Sequence, residues 1–227
     1  NTPVVTGDTA DLAMALLLAT CRRTGECERA LRGDDWSGGA SLLGPRVHGK
    51  TLGIVGFGAI GQAVARRASG FDMKVLYHGP RRKIDAERET GAAYCEQLAE
   101  LLAEADIVTL HCPLTAETRH LIDAEALRAM RRDAMLINTG RGALVDEAAL
   151  AEALAAGTIA GAGLDVFEFE PRVDPRLMDL PNVVLLPHIG SATAECRRDM
   201  AMRALANIRS YLDGGEPLDN CITPQVS

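Results

Sequence analysis

Thr51-Leu52-Gly53-Ile54-Val55-Gly56-Phe57-Gly58-Ala59-Ile60-Gly61 decides how this chain is read. A short apolar run leads straight into glycines spaced G-x-G-x-x-G, and a stretch of helical composition, 58–69, follows. Each glycine has a separate physical job. Gly56 permits a tight turn, Gly58 lets the backbone approach a pyrophosphate, and Gly61 lets the helix pack closely on the strand. The helix start then presents unpaired N–H groups and a positive dipole end to the phosphates. The spacing alone is a weak signal. Placed between a strand and a helix, it predicts dinucleotide binding.

Working outward, the same alternation continues. Short apolar runs recur at Met73-Lys74-Val75-Leu76-Tyr77, Asp106-Ile107-Val108-Thr109-Leu110, Met135-Leu136-Ile137-Asn138, Gly161-Ala162-Gly163-Leu164-Asp165-Val166 and Val183-Val184-Leu185-Leu186. Helical segments such as 97–105 and 147–156 lie between them. Strands alternating with helices imply a parallel sheet covered on both faces. The expected fold class is therefore α/β, a Rossmann-type doubly wound parallel sheet, with flanking N- and C-terminal helices. Upstream, a helix is predicted over 10–31, capped by Asp8 or Thr9. Its first half, 10–20, is apolar almost all round and must be buried against something large. A Gly- and Ser-rich loop, 33–44, carries Trp36. Downstream, a helix is predicted over 194–211, stopped by Gly214-Gly215. Residues 47–190 read as the dinucleotide-binding domain, 1–46 as a linking helix and loop, and 191–227 as a C-terminal helix and tail.

Composition limits the function classes. Hydrophobic residues make up 47% of the 227, enough for a sizeable core. A net charge of -7 argues against a nucleic-acid surface. No apolar stretch is long enough to span a bilayer and no signal segment opens the chain, so a membrane partner is not expected. The six cysteines, Cys21, Cys27, Cys95, Cys112, Cys196 and Cys221, form no C-x-x-C pair. They read as free thiols of a reducing compartment, which gives a cytoplasmic expectation. No metal site is assigned. The first residue is Asn, and the opening Asn1-Thr2-Pro3-Val4-Val5 reads like the interior of a longer protein.

The end of the second strand bears on the cofactor. An acidic residue there would accept hydrogen bonds from a ribose 2′-OH. Here the sequence is Leu76-Tyr77-His78-Gly79-Pro80-Arg81-Arg82-Lys83, with Asp72 and Asp85 the nearest carboxylates. Three consecutive cations suit a 2′-phosphate, which Arg can hold bidentately. NADP(H) is favoured on this ground, with NAD(H) as the alternative.

Further motifs lie just past strands: Ile137-Asn138-Thr139-Gly140-Arg141-Gly142, Gly163-Leu164-Asp165-Val166-Phe167-Glu168-Phe169-Glu170-Pro171, and Leu186-Pro187-His188-Ile189-Gly190-Ser191-Ala192-Thr193. In an open parallel sheet, the crevice beyond the strand C-termini is where ligands bind. Singly, Arg141, Glu170 and His188 would each pass for a structural or solvated loop residue. Together, behind a dinucleotide turn, they supply what reduction of a 2-keto acid needs. A guanidinium clamps the carboxylate and polarises the carbonyl. An imidazole protonates the oxygen as hydride reaches carbon. A carboxylate orients the imidazole and favours its charged form.

Taken in order, these pieces resemble the D-isomer-specific 2-hydroxyacid dehydrogenases, most closely the glyoxylate/hydroxypyruvate reductase branch. The resemblance runs from Asn1-Thr2-Pro3 and Thr9-Ala10-Asp11-Leu12-Ala13 through His111-Cys112-Pro113-Leu114-Thr115 and Thr118 to Pro187-His188-Ile189-Gly190-Ser191. It implies that Arg141 anchors the substrate carboxylate and carbonyl, and that His188, paired with Glu170, is the general acid/base. It implies backbone contacts to pyrophosphate from Ala59 and Ile60, and a cofactor path lined by Cys112, Pro113, Thr118, Thr139, Gly140, Asp165 and Gly190. Asp165 would accept from the carboxamide. NADPH-using members of the branch also lack an acidic residue at the position of His78. The family's first segment, which folds most of the substrate domain, has no counterpart here. That leaves the apolar faces of the N- and C-terminal helices to be covered by another means, and a homodimer is expected. The implied substrates are glyoxylate, hydroxypyruvate or a related 2-keto acid. The alternative is an isolated, non-catalytic NAD(P)-binding domain or a corepressor-like sensor module.

Overall fold

The computed structural model describes residues 3–36 and 42–213. The middle of the loop read at 33–44, the Gly214-Gly215 stop, the tail beyond it with Cys221, and Asn1-Thr2 lie outside the described residues.

Seven strands form one sheet: β1 Thr51–Val55, β2 Lys74–His78, β3 Ala93–Tyr94, β4 Ile107–Leu110, β5 Met135–Asn138, β6 Gly161–Leu164 and β7 Val183–Leu185. Their order is β3-β2-β1-β4-β5-β6-β7 and every pairing is parallel. The nine described α-helices are α1 Thr6–Cys21, α2 Thr24–Arg32, α3 Ala59–Ala68, α4 Ile84–Thr90, α5 Leu98–Glu104, α6 Ala124–Ala129, α7 Glu147–Ala155, α8 Pro175–Asp179 and α9 Ala194–Leu212. The expected doubly wound sheet is what the chain forms.

Strand residues alternate between two cores. Leu52, Ile54, Val75, Tyr77, Ile107 and Ile137 face α1 and α3, while Val55, Leu76, Val108, Leu110, Leu136 and Leu164 face α5, α6 and α7. The period-2 geometry of a strand distributes side chains this way, and a sheet covered on both sides needs apolar residues on both. Each fully buried Leu or Ile contributes about 1.5–3 kcal/mol of transfer free energy.

The predicted strands hold to within a residue or two at their ends. The first and fourth predicted runs match β1 and β5 residue for residue, and the second shifts by one, from 73–77 to Lys74–His78. The fifth predicted run, 161–166, stops at Leu164, where the chain leaves the sheet for the site. The single helix predicted over 10–31 is corrected. It begins at Thr6 and breaks into α1 and α2 at Arg23, whose φ is +51°. Thr24 and Gly25 are poor helix formers. The Arg23 guanidinium locks the break by forking onto both oxygens of Glu26, each at 2.8 Å. Asp8 and Thr9 are not caps either, because both lie inside α1 and reach across the molecule. Asp8 accepts from the Thr193 hydroxyl at 2.5 Å, and the Thr9 hydroxyl donates to the Gly190 carbonyl at 3.2 Å.

The apolar half of α1 was expected to need a covering partner. It has one within this chain: Ala10, Ala13, Leu16, Leu17 and Cys21 are buried in the core shared with α3, β1 and β5. The C-terminal helix differs. α9, capped by the Thr193 side chain, leaves Met202, Leu205, Ile208 and Tyr211 more than half exposed. No described helix is long and apolar enough to cross a membrane.

Candidate active site

β1 lies between β2 and β4, so the chain reverses its direction of travel across the sheet there, and a crevice opens over the strand ends. The glycine turn sits in that crevice. Gly56 has φ +94°, and a Cβ on it would stand 2.3 Å from the Cys112 nitrogen, so the ends of β1 and β4 touch through backbone alone. A Cβ on Gly61 would stand 2.3 Å from the Gly56 carbonyl oxygen, which fixes how close α3 comes to the turn. Gly58 is different, since a Cβ there would meet nothing within 4 Å. No protein packing demands glycine at 58. A phosphate pressed against the backbone would, so the turn fits a dinucleotide. Gly58 is also the N-cap of α3 and offers no side-chain cap, so the N–H groups opening the helix at Ala59 and Ile60 have no side-chain partner. Below the turn, the Phe57 ring stacks on Tyr77 with centroids 4.0 Å apart.

Beside the turn is a cavity of about 510 Å³. The structure brings together in its wall Ile60, Cys112, Pro113, Thr139, Gly140, Arg141, Asp165, His188 and Gly190, contributed by α3 and the ends of four strands. Thr118 does not line it. Its hydroxyl donates to the Pro113 carbonyl and accepts from the Thr115 N–H, both at 2.7 Å, and so shapes the Pro113 loop. His78, Arg81 and Arg82 stand outside the cavity, at and beyond the end of β2.

The His188 ring is paired with Glu170: Nδ1 lies 2.8 Å from Oε2. The other Glu170 oxygen accepts from the Phe167 N–H at 3.0 Å. Burial pushes the Glu170 carboxyl upward, but the His188 hydrogen bond, the Phe167 N–H and the charges of His188 and Arg141 outweigh it and leave it below the ordinary carboxylate range. An ionised carboxylate can only accept, so Nδ1 carries the proton of this bond and Nε2 is the nitrogen left to exchange one.

His188 has φ +54°, a left-handed conformation that costs a non-glycine residue about 1–2 kcal/mol. Several bonds hold it there. The His188 N–H donates to the Asp165 carbonyl at 2.8 Å, while the Ile189 and Gly190 N–H groups donate to the two Asp165 carboxylate oxygens at 2.8 and 2.9 Å. Both Asp165 oxygens are therefore engaged in holding this loop. Burial pushes the Asp165 carboxyl up, and the two N–H donors offset only part of that.

Arg141 follows β5 on an exposed turn, its Nη1 donating to the Gly140 carbonyl at 2.7 Å. Gly142 explains its placement. A Cβ there would fall 1.9 Å from the Phe167 carbonyl carbon, so the loops carrying Arg141 and Glu170 are in backbone contact. A side chain at 142 would wedge them apart.

The sequence reading assigned no separate role to His111. It follows β4, lines the cavity, and bonds the Thr109 hydroxyl through Nε2 at 2.9 Å. Burial pushes its pKa down to about 4, so the ring is neutral. Its Nδ1 and the Thr139 hydroxyl are buried without a hydrogen-bond partner. Buried polar atoms are normally paired, and two left over in one cavity wall fit a bound molecule that pairs them. The signals for His111 were its position at a strand end beside the crevice and its place at the head of the family-like stretch 111–115. Among the described residues, no group of three or more His, Cys, Asp and Glu side chains is arranged to hold a metal ion.

A doubly wound parallel sheet with a glycine turn at its reversal point, facing an Arg and a His–Glu pair, defines a nicotinamide-dinucleotide-binding oxidoreductase domain. Comparison with known proteins agrees: residues 14–190 match the family described as D-isomer specific 2-hydroxyacid dehydrogenase, NAD binding domain. The chain belongs to this family. It is 52% identical to glyoxylate/hydroxypyruvate reductase B of Pectobacterium carotovorum subsp. carotovorum, over 100% of this chain and 72% of that protein. The crystal structure of a glyoxylate reductase from Paecilomyes thermophila superposes with a TM-score of 0.89 at 42% identity, covering 95% of this chain and 65% of that one. A second, the NADPH-dependent glyoxylate/hydroxypyruvate reductase of Sinorhizobium meliloti in complex with NADP and malonate, gives a TM-score of 0.86 at 38% identity, over 96% of this chain and 68% of that one. The chain thus spans between 65% and 72% of the length of these relatives.

Proposed function

We propose that this protein reduces glyoxylate or hydroxypyruvate, with NADPH as the preferred cofactor and NADH as the lesser one. The observation that carries the reading is the shared cavity: Arg141, the His188–Glu170 pair and the residues beside the glycine turn line or adjoin one space. The relatives named above support the substrate class. In this reading residues 47–190 hold the dinucleotide, while 1–46 and 191–227 connect it to a substrate domain. The free thiols of Cys21, Cys27, Cys95, Cys112 and Cys196 suit a cytoplasmic location. The exposed apolar face of α9 and the family resemblance are the grounds for proposing a homodimer.

When bound, the nicotinamide supplies a hydride to the carbonyl carbon. The protein's own groups do the rest. The turn, with the Ala59 and Ile60 N–H groups, binds the diphosphate. Thr139, Cys112, Pro113 and Gly140 wall the cofactor path, with Thr118 holding the Pro113 loop and Gly190 bonded into the His188 loop. Arg141 clamps the substrate carboxylate and draws electron density onto the carbonyl oxygen. His188 delivers the Nε2 proton to that oxygen, and Glu170 keeps the ring oriented.

The direct test is NADPH oxidation with glyoxylate and hydroxypyruvate as substrates. Turnover with both, and a lower KM for NADPH than for NADH, is the expected result. Tight NADPH binding without turnover would overturn the reading.

Glu170 adds a pH signature. Its carboxyl is held low, so the bond to His188 is fully present above the ordinary carboxylate range and is lost as pH falls through the depressed value. In Glu170→Gln the protonated ring has no counter-ion. The acid-side loss tied to protonation of Glu170 should disappear from the kcat/KM profile for reduction, and kcat at neutral pH should fall about tenfold. A profile that superposes on that of the parent would show that the pair does not act in catalysis.

A further inference from the structure

No carboxylate occupies the end of β2, yet one reaches it from elsewhere. Glu87, on α4, folds back over the turn that follows β2 and forks onto Arg82: Oε1 accepts from Nε at 2.9 Å and Oε2 from Nη2 at 2.9 Å. The Tyr77 hydroxyl donates to Glu87 Oε1 at 2.7 Å and accepts from the Lys83 N–H at 2.7 Å. The Tyr77 ring is fully buried and stacked on Phe57 of the glycine turn. Glu87 is therefore anchored to the floor of the cofactor site. Its side chain is 14% exposed against 61% for Arg82, so the carboxylate is the fixed partner and the guanidinium keeps an open face.

We propose that Glu87 sets the cofactor preference by competing with the 2′-phosphate for Arg82. This rests on the reading of Arg81 and Arg82 as the phosphate-binding cations. A 2′-phosphate approaching Arg82 meets a guanidinium whose fork is already filled, and it also meets the Glu87 charge. Part of the attraction of the basic turn is thereby cancelled. A 2′-OH carries no charge and is not penalised, so the pair narrows the gap between the two cofactors. The hydrogen bonds from Arg82 and Tyr77 hold the Glu87 carboxyl below the usual range, and the competing charge is present at neutral pH.

The test is equilibrium binding of NADPH, NADH and adenosine 2′,5′-bisphosphate to the parent, Glu87→Gln, Arg82→Ala and the double variant. Glu87→Gln should bind NADPH and the bisphosphate roughly two- to fivefold more tightly, the range of an exposed ion pair, with NADH unchanged. Arg82→Ala should weaken both phosphorylated ligands. The double variant should keep only a small part of the Glu87→Gln gain over Arg82→Ala, because there is no guanidinium to release and only the repulsion from the Glu87 charge is relieved. Weaker NADPH binding in Glu87→Gln would mean that Glu87 posts Arg82 for the phosphate, and would overturn the proposal while leaving the phosphate site intact. NADPH binding unaffected by Arg82→Ala would overturn the phosphate-site reading at Arg82 and the proposal with it. If Glu87→Gln does not fold, Glu87→Asp, still charged but too short for the fork, should show a smaller gain in the same direction. Absence of that gain would count equally against it.

Discussion

Replacing His188 with alanine is expected to lower kcat for reduction by about a hundredfold to ten-thousandfold, the span attributed to a lost general acid. The reason is local. The ring is aimed by a carboxylate at Nδ1 and by a backbone in an unusual conformation, and Nε2 is the one nitrogen free to exchange a proton. Among the described residues of the cavity wall, the other ionisable groups are poorly suited to take over, the Cys112 thiol being pushed up to about 11 by burial. The His111 ring is held neutral by burial, and the Asp165 oxygens are bonded to backbone N–H groups. Cofactor affinity should fall less than kcat, because His188 shares a cavity wall with Ile60 but its loss leaves the glycine turn and the backbone opening α3 unchanged. Steady-state kinetics with NADPH saturating, alongside a cofactor titration, checks both halves. Retention of kcat within about threefold of the parent, well short of the effect of a lost acid, would remove His188 from the mechanism.

Replacing Arg141 with alanine should cost about a hundredfold to a thousandfold in kcat/KM for the keto acid, comparable to losing an electrostatic donor at a developing oxyanion. The guanidinium is exposed, and its one hydrogen bond goes to the adjacent Gly140 carbonyl, so its loss should not unfold the loop. Gly142 preserves the turn by its contact with Phe167 whatever side chain stands at 141. Arg141→Lys should recover only a small part of the activity, because an ammonium cannot match a carboxylate bidentately. Thermal unfolding unchanged from the parent, together with the collapse in kcat/KM, is the expected pair of results. A KM and kcat both near the parent values would show that the substrate carboxylate is held elsewhere.

How much of this was legible in the sequence follows from the physics of each piece. β1, its glycine turn and α3 were readable because apolar run, turn chemistry and helix composition agree within eleven or so residues. β5 and β6 were readable because both faces of a parallel sheet are buried and the runs are apolar throughout. α4 and β3 were not. Ala86 is the one buried residue of α4, so no apolar stripe announces it, and β3 is a two-residue edge strand. Missing α4 also hid Glu87, since a carboxylate arriving from a helix leaves no mark at the end of β2. The break at Arg23 was missed because helical composition resumes directly after Thr24 and Gly25, and the side-chain fork of Arg23 onto Glu26 that holds the break leaves no mark in the spacing. At the candidate site, Arg141, Glu170 and His188 were singled out from strand-end motifs, and the structure sets them at or beside one cavity. The engagement of Asp165 with the 189–190 backbone is a pairing that spacing cannot specify.

The bonds of Thr9 to Gly190 and Asp8 to Thr193 join positions 181 and 185 residues apart, on either side of the segment that carries the imidazole. The loop that follows His188 is thus moored to the first turns of α1. In the proposed mechanism this ties the placement of the imidazole to the seating of α1 on the sheet.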